Sequence, residues 1–132
     1  MNFLGTAGLT KKMIGQDVIN KQGKIVTIAS GCGTNFISNC NETMKARFTS
    51  DDITQEEAYK INEEFLASII ADNVESEEVG FPSRERFKEK PFAISYGASK
   101  ACLLVFMKAL SKSSNIVKND IQVYSRQALD TP

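Results

Sequence analysis

The sequence predicts an α/β chain built on a parallel sheet, and three observations carry that expectation. Lys24-Ile-Val-Thr-Ile-Ala-Ser30 is a β-branched run with almost no polar alternation, as expected of a strand buried on both faces. Helical patterns precede and follow this run. A second short strand, Ile121-Gln-Val-Tyr-Ser125, comes after the most apolar helix of the chain. Both strands read as central, and central parallel strands need neighbours on each side. The sequence therefore reads as part of a larger sheet.

Taken in order, residues 3–19 carry Phe3, Leu4, Ala7, Met13, Ile14, Val18 and Ile19 at roughly helical spacing, despite Gly5, Gly8 and Gly15. The polar turn ending at Gly23 leads into the first strand. After Ser30, Gly-Cys-Gly-Thr-Asn reads as a glycine-rich turn at the strand's carboxyl end, where open α/β sheets bind ligands. A second helix is expected over 54–71. Thr54 and Glu57 have capping-box spacing, and Ala58, Ile61, Phe65 and Ile69 recur at steps of three and four. Residues 51–78 hold ten of the 16 acidic residues and one base, Lys60, which reads as a solvated face, with docking of a basic partner as the lesser alternative. Residues 73–93 read as loop, punctuated by Gly80, Pro82 and Pro91. From Ser95 a helix runs to about Lys112. It is apolar nearly all round through Ala-Cys-Leu-Leu-Val-Phe-Met, so protein should cover it on every side.

Composition narrows the chemistry. The chain has 132 residues, 42% hydrophobic and 24% charged, within one-domain size and ordinary for a globular protein. Lys+Arg and Asp+Glu balance at 16 each, leaving no basic footprint for nucleic acid. No apolar run is long enough to span a bilayer, and the amino terminus lacks the basic-then-apolar order of a secretory signal, so a cytoplasmic location is expected. With no histidine, Ser-His-Asp triads and most zinc sites fall away, and no metal site is expected. Cys32, Cys40 and Cys102 have no C-x-x-C spacing and read as reduced thiols in or near a core.

Tyr96 and Lys100 stand one helical turn apart on one face. A free phenol, with a pKa of about 10, exchanges protons poorly near neutrality. An adjacent ammonium stabilises the phenolate, so such a pair can act as a general acid toward a carbonyl oxygen. Ser30, at the end of a buried strand, can turn its hydroxyl toward the same cleft. The small residues between Tyr96 and Lys100 leave room for a planar ligand.

At these residues the chain resembles the short-chain dehydrogenase/reductase family. ISYGASKACLLVFMKALSK is similar to its Tyr-x-x-x-Lys helix, GKIVTIAS to the strand ending in its serine, NFLGT to the stretch contributing a helix asparagine, and IQVYS to the following core strand. The long interval between Ser30 and Tyr96, with RFTSDDITQEEAYKINEEFLASII, resembles the insertion of the carbonyl-reductase-like branch. The resemblance implies a partial Rossmann-type, doubly wound domain over residues 1–132, with a helical insertion at about 38–93. It implies an NADPH-dependent reductase of ketones or aldehydes, NAD(H) remaining open, and a monomer for the full-length branch. Tyr96 would protonate the substrate, Lys100 would assist it and hold the nicotinamide ribose, Ser30 would hold the carbonyl oxygen, and Asn2 would anchor a water leading to Lys100. Tyr96 and Lys100 are thus also the cofactor-binding candidates. The family's T-G-x-x-x-G-x-G and N-N-A-G segments do not occur, and Arg126-Gln127 stands where Pro-Gly is usual. These departures imply that this chain alone is inactive. A non-catalytic fragment or pseudoenzyme acting through protein association is the alternative.

Overall fold

The computed structural model describes residues 3–71, 79–83 and 92–127, and these residues form six helices and two strands. In chain order they are α1 (Leu4–Gly15), β1 (Lys24–Ala29), α2 (Gly31–Ser38), α3 (Glu42–Thr49), α4 (Gln55–Ala71), α5 (Phe92–Leu110), α6 (Ser114–Lys118) and β2 (Gln122–Gln127). The fold is α/β, as the sequence predicts. β1 and β2 pair in parallel, Lys24 opposite Gln122 through Ala29 opposite Gln127.

α5 is the hub. α2 and α4 pack along it, with α1, α3 and both strands adding smaller contacts. Its expected all-round cover is met over most of its length: Ala101, Cys102, Leu103, Val105, Phe106 and Met107 are all buried. The helix starts at Phe92 rather than Ser95.

Two aromatic clusters fill the space around α5. Phe3, Tyr59 and Phe106 tie α1 and α4 to the hub, with ring centroids 5.2–6.0 Å apart. Phe36 meets Phe48, Phe65 and Phe81 at 5.6–6.2 Å, joining α2, α3 and α4. Both separations suit edge-on and tilted aromatic packing. The periodicity of α4 translates into burial, with Ala58, Ile61 and Phe65 inside and Ile69 packed against the core. Thr54 caps it, its Oγ1 accepting from the Glu57 amide at 3.1 Å.

Three sequence expectations are corrected among the helices. Helix α1 ends at Gly15 instead of reaching Ile19, because Asp17 takes a left-handed backbone (φ 53°) that ends the helix. The expected glycine-rich turn after Ser30 is instead the first turn of α2. α3, which the local residue pattern does not mark, has Asn41 Oδ1 accepting from the Met44 amide as its cap. The acidic face of α4 is not purely solvated: Arg47 of α3 reaches Glu57 at 2.7 Å and Glu64 at 2.6 Å. Burial works against the guanidinium's charge. Hydrogen bonds to Glu64 and Glu57 outweigh it and hold Arg47 above its ordinary pKa.

β1 also departs from its expected burial. Thr27 and Ala29 are buried beneath the helices, but Val26 and Ile28 are 54% and 63% exposed on the opposite face. Among the described residues the helices cover one side of the sheet only. No helix of the described residues is long and apolar enough to cross a membrane.

Candidate active site at the carboxyl end of the sheet

Ser30 follows the last residue of β1 and is the N-cap of α2. Its backbone is extended (φ −146°, ψ 146°), and its Oγ accepts from the Cys32 amide at 3.1 Å. A hydroxyl used this way satisfies one of the orphan donors of the helix's first turn and keeps its own proton available for a further acceptor.

α2 lies very close to α5 along two glycines. A Cβ on Gly33 would stand 2.9 Å from the Lys100 carbonyl carbon, and one on Gly97 would stand 3.1 Å from the Cys32 oxygen. Gly33 therefore serves helix–helix approach, not a turn. This contact sets the first turn of α2 against the stretch of α5 that holds Tyr96 and Lys100.

Lys100 reaches past that contact to the strand. Its Nζ donates to the main-chain oxygen of Ile28 at 2.9 Å and lies 5.7 Å from the centre of the Tyr96 ring. An ammonium over an aromatic face at this range is attracted by the ring quadrupole. Tyr96 is 38% exposed. Ser99 Oγ donates to the Tyr96 main-chain oxygen at 2.7 Å.

Three of the sequence-predicted residues, Ser30, Tyr96 and Lys100, thus gather where β1 ends. Asn2 lies outside the described residues. Arg126, opposite Ile28 in the parallel register, and Gln127, opposite Ala29, bring the end of β2 to the same edge. The carboxyl ends of parallel strands are where open α/β sheets take ligands. The Ile28 carbonyl was not foreseen from sequence, because a main-chain acceptor carries no side-chain signal.

Recesses among the described residues lie elsewhere. One of about 220 Å³ sits between α1, α4 and α5, against Phe3, Asn62, Phe65 and Ser99. A wider groove of about 700 Å³ runs between α2 and α3 past Ile37, Glu42 and Lys45. Neither is lined by Ser30, Tyr96 or Lys100.

No family model matches the chain. It is 26% identical over 114 residues to carbonyl reductase [NADPH] 1 of Mus musculus and 23% identical over 114 residues to that of Rattus norvegicus. Each match covers 86% of this chain and 36% of the relative, so the chain spans about a third of the length of the curated relatives it matches. At 23–26% identity these matches support a distant, short-chain-dehydrogenase-like relationship.

Proposed function

We propose that this chain carries the proton-transfer residues of a carbonyl-reductase-like oxidoreductase, a short-chain dehydrogenase/reductase that reduces a small ketone or aldehyde with NADPH in the cytoplasm. Residues about 38–93 are its helical insertion. These 132 residues by themselves do not turn over substrate. The observation that carries the reading is the placement of Lys100 between the Ile28 oxygen and the Tyr96 ring, beside Ser30 at the end of β1.

In this reading the exposed Tyr96 hydroxyl delivers a proton to the carbonyl oxygen of the substrate. Lys100, with three donors of which one is used on Ile28, has donors left for a ribose hydroxyl. Ser30, its acceptor lone pair held by the Cys32 amide, donates its proton to the same carbonyl oxygen. The nicotinamide, when bound, supplies the hydride. Tyr96 and Lys100 suit the nicotinamide-ribose end of a dinucleotide. The sequence offers no G-x-x-x-G-x-G turn for its pyrophosphate, which supports the view that this chain is incomplete for catalysis.

The test fuses the amino-terminal part of the mouse relative ahead of Met1 and assays NADPH oxidation with a carbonyl substrate. The fused protein should reduce it, Tyr96→Phe should lose more than nine tenths of turnover while keeping NADPH binding, and the 132-residue chain should show none. A folded fusion in which Tyr96→Phe keeps its rate removes Tyr96 as the acid. The second reading, a non-catalytic chain acting through association, is supported by the edge of β1 away from β2, which no strand of the described residues covers.

A further inference from the structure

The smaller recess, of about 220 Å³, opens between α4, α5 and the start of α1. Asn62, Phe65 and Leu66 stand at i, i+3 and i+4 on α4, and Ser95 and Ala98 stand three apart on α5, so each helix turns one face to the space. Its floor is apolar, for Phe3, Phe65 and Ala98 are buried. Leu4 and Leu66 form the rim and stay 49% and 47% exposed. Every residue of the lining is among those the structure describes.

Two polar side chains of the lining, the Asn62 amide and the Ser95 hydroxyl, have no hydrogen-bond partner among the described residues. Ser99 beside them differs, since its hydroxyl proton goes to the Tyr96 oxygen. An amide and a hydroxyl can each donate and accept. No Lys, Arg, Asp or Glu lines the recess.

We propose that this recess binds a small uncharged aromatic molecule, of one or two rings and one hydrogen-bonding group. Size sets the first limit. A cavity of about 150 Å³ admits benzene, whereas drug-sized ligands take pockets of about 300–1,000 Å³. A space of about 220 Å³ therefore suits a substituted ring or a fused pair, and it is too small for a dinucleotide. Charge sets the second limit, because an ion against Phe3, Phe65 and Ala98 would lose hydration with no countercharge to replace it. The aromatic preference comes from Phe3 and Phe65, which already pack tilted or edge-on with Tyr59 and Phe81 and can take a further ring in the same way. Asn62 then meets the polar group of the ligand, and its ring covers Leu4 and Leu66. Neither Tyr96 nor Lys100 lines the recess, so this inference does not rest on the reductase reading.

The test is a titration of the full 132-residue chain, followed by proton–nitrogen correlation NMR, with probes that share one ring: benzamide, benzoate and benzylammonium. Benzamide should bind saturably with a Kd on the order of 0.1–1 mM, shifting the Asn62 side-chain amide and the backbone amides of Leu66, Ser95 and Ala98. The two charged probes should bind about tenfold more weakly or worse. Asn62→Ala removes one hydrogen bond to the ligand and should weaken benzamide about tenfold. The shift map of the parent chain is read without that variant, so it decides the matter even if the variant fails to fold. Shifts that rise linearly without saturating, or that gather at Val26 and Ile28 or along the α2–α3 groove, would overturn the proposal. Benzoate binding as tightly as benzamide, or an unchanged Kd in Asn62→Ala, would overturn it as well.

Discussion

Replacing Gly33 by alanine tests the contact that assembles the candidate site. The added Cβ would sit 2.9 Å from the Lys100 carbonyl carbon, 3.0 Å from the Ala101 nitrogen and 3.1 Å from the Lys100 Cβ. Two of these neighbours are backbone, so relief requires α2 and α5 to part by roughly half an ångström. Overpacking of this kind costs about 1–3 kcal/mol, and alanine's better helix propensity returns about 1 kcal/mol. The expected net loss is roughly 0–2 kcal/mol. Gly8→Ala is the matched control, since a Cβ there meets nothing within 4 Å on the exposed side of α1. It should gain about 0.5–1 kcal/mol. The propensity gain is common to both, so the two variants should differ by the overpacking cost of about 1–3 kcal/mol, equivalent to roughly 4–12 °C in Tm for a chain of this size. Urea unfolding followed by far-ultraviolet circular dichroism, at one fixed protein concentration and with unchanged slopes, measures the difference. Gly33→Ala equal in stability to Gly8→Ala would refute the close α2–α5 contact, and with it the positioning of Lys100 against β1.

Two further predictions concern charges and thiols. Arg47→Met keeps the aliphatic stem but leaves Glu57 and Glu64 without their shared cation, and should cost about 1–2 kcal/mol, less in high salt because added ions screen the remaining carboxylates. Urea midpoints at low and high salt check both parts, and an unchanged midpoint would mean the triad contributes nothing net. Burial raises the Cys40 and Cys102 thiols from 9.0 to about 12, Lys45 pulling slightly the other way on Cys40 and Cys102 feeling Cys40 as well. The folded chain holds these protons more tightly than the unfolded one. Their contribution is therefore full below pH about 9 and is lost as pH rises toward about 12. Unfolding titrations from neutral to alkaline pH should show a shallower decline for the Cys40→Ala, Cys102→Ala double variant than for the parent chain.

The sequence by itself determined the α/β class, both strands, the span and inward face of α4, and the apolar character of α5. Each of these rests on local periodicity, β-branching or capping chemistry, which act over a few residues and are written directly in their order. It also placed Tyr96 and Lys100 on one helix face, because a separation of four residues is a statement about helical pitch. Tertiary structure decided the rest. Gly-Cys-Gly after Ser30 carries the composition of a turn, and only the approach of α5 shows that Gly33 is small for packing while Ser30 caps a helix. Arg47 is one charge among many in sequence, and its two partners are ten and 17 residues away, beyond any local pattern. Val26 and Ile28 read as buried because β-branching reports strand preference, whereas burial depends on whether another layer covers that face. The acceptor that holds Lys100 is a main-chain oxygen 72 residues earlier in the chain. Every residue but proline carries the same peptide groups, so only the path of β1 beside α5 selects that oxygen.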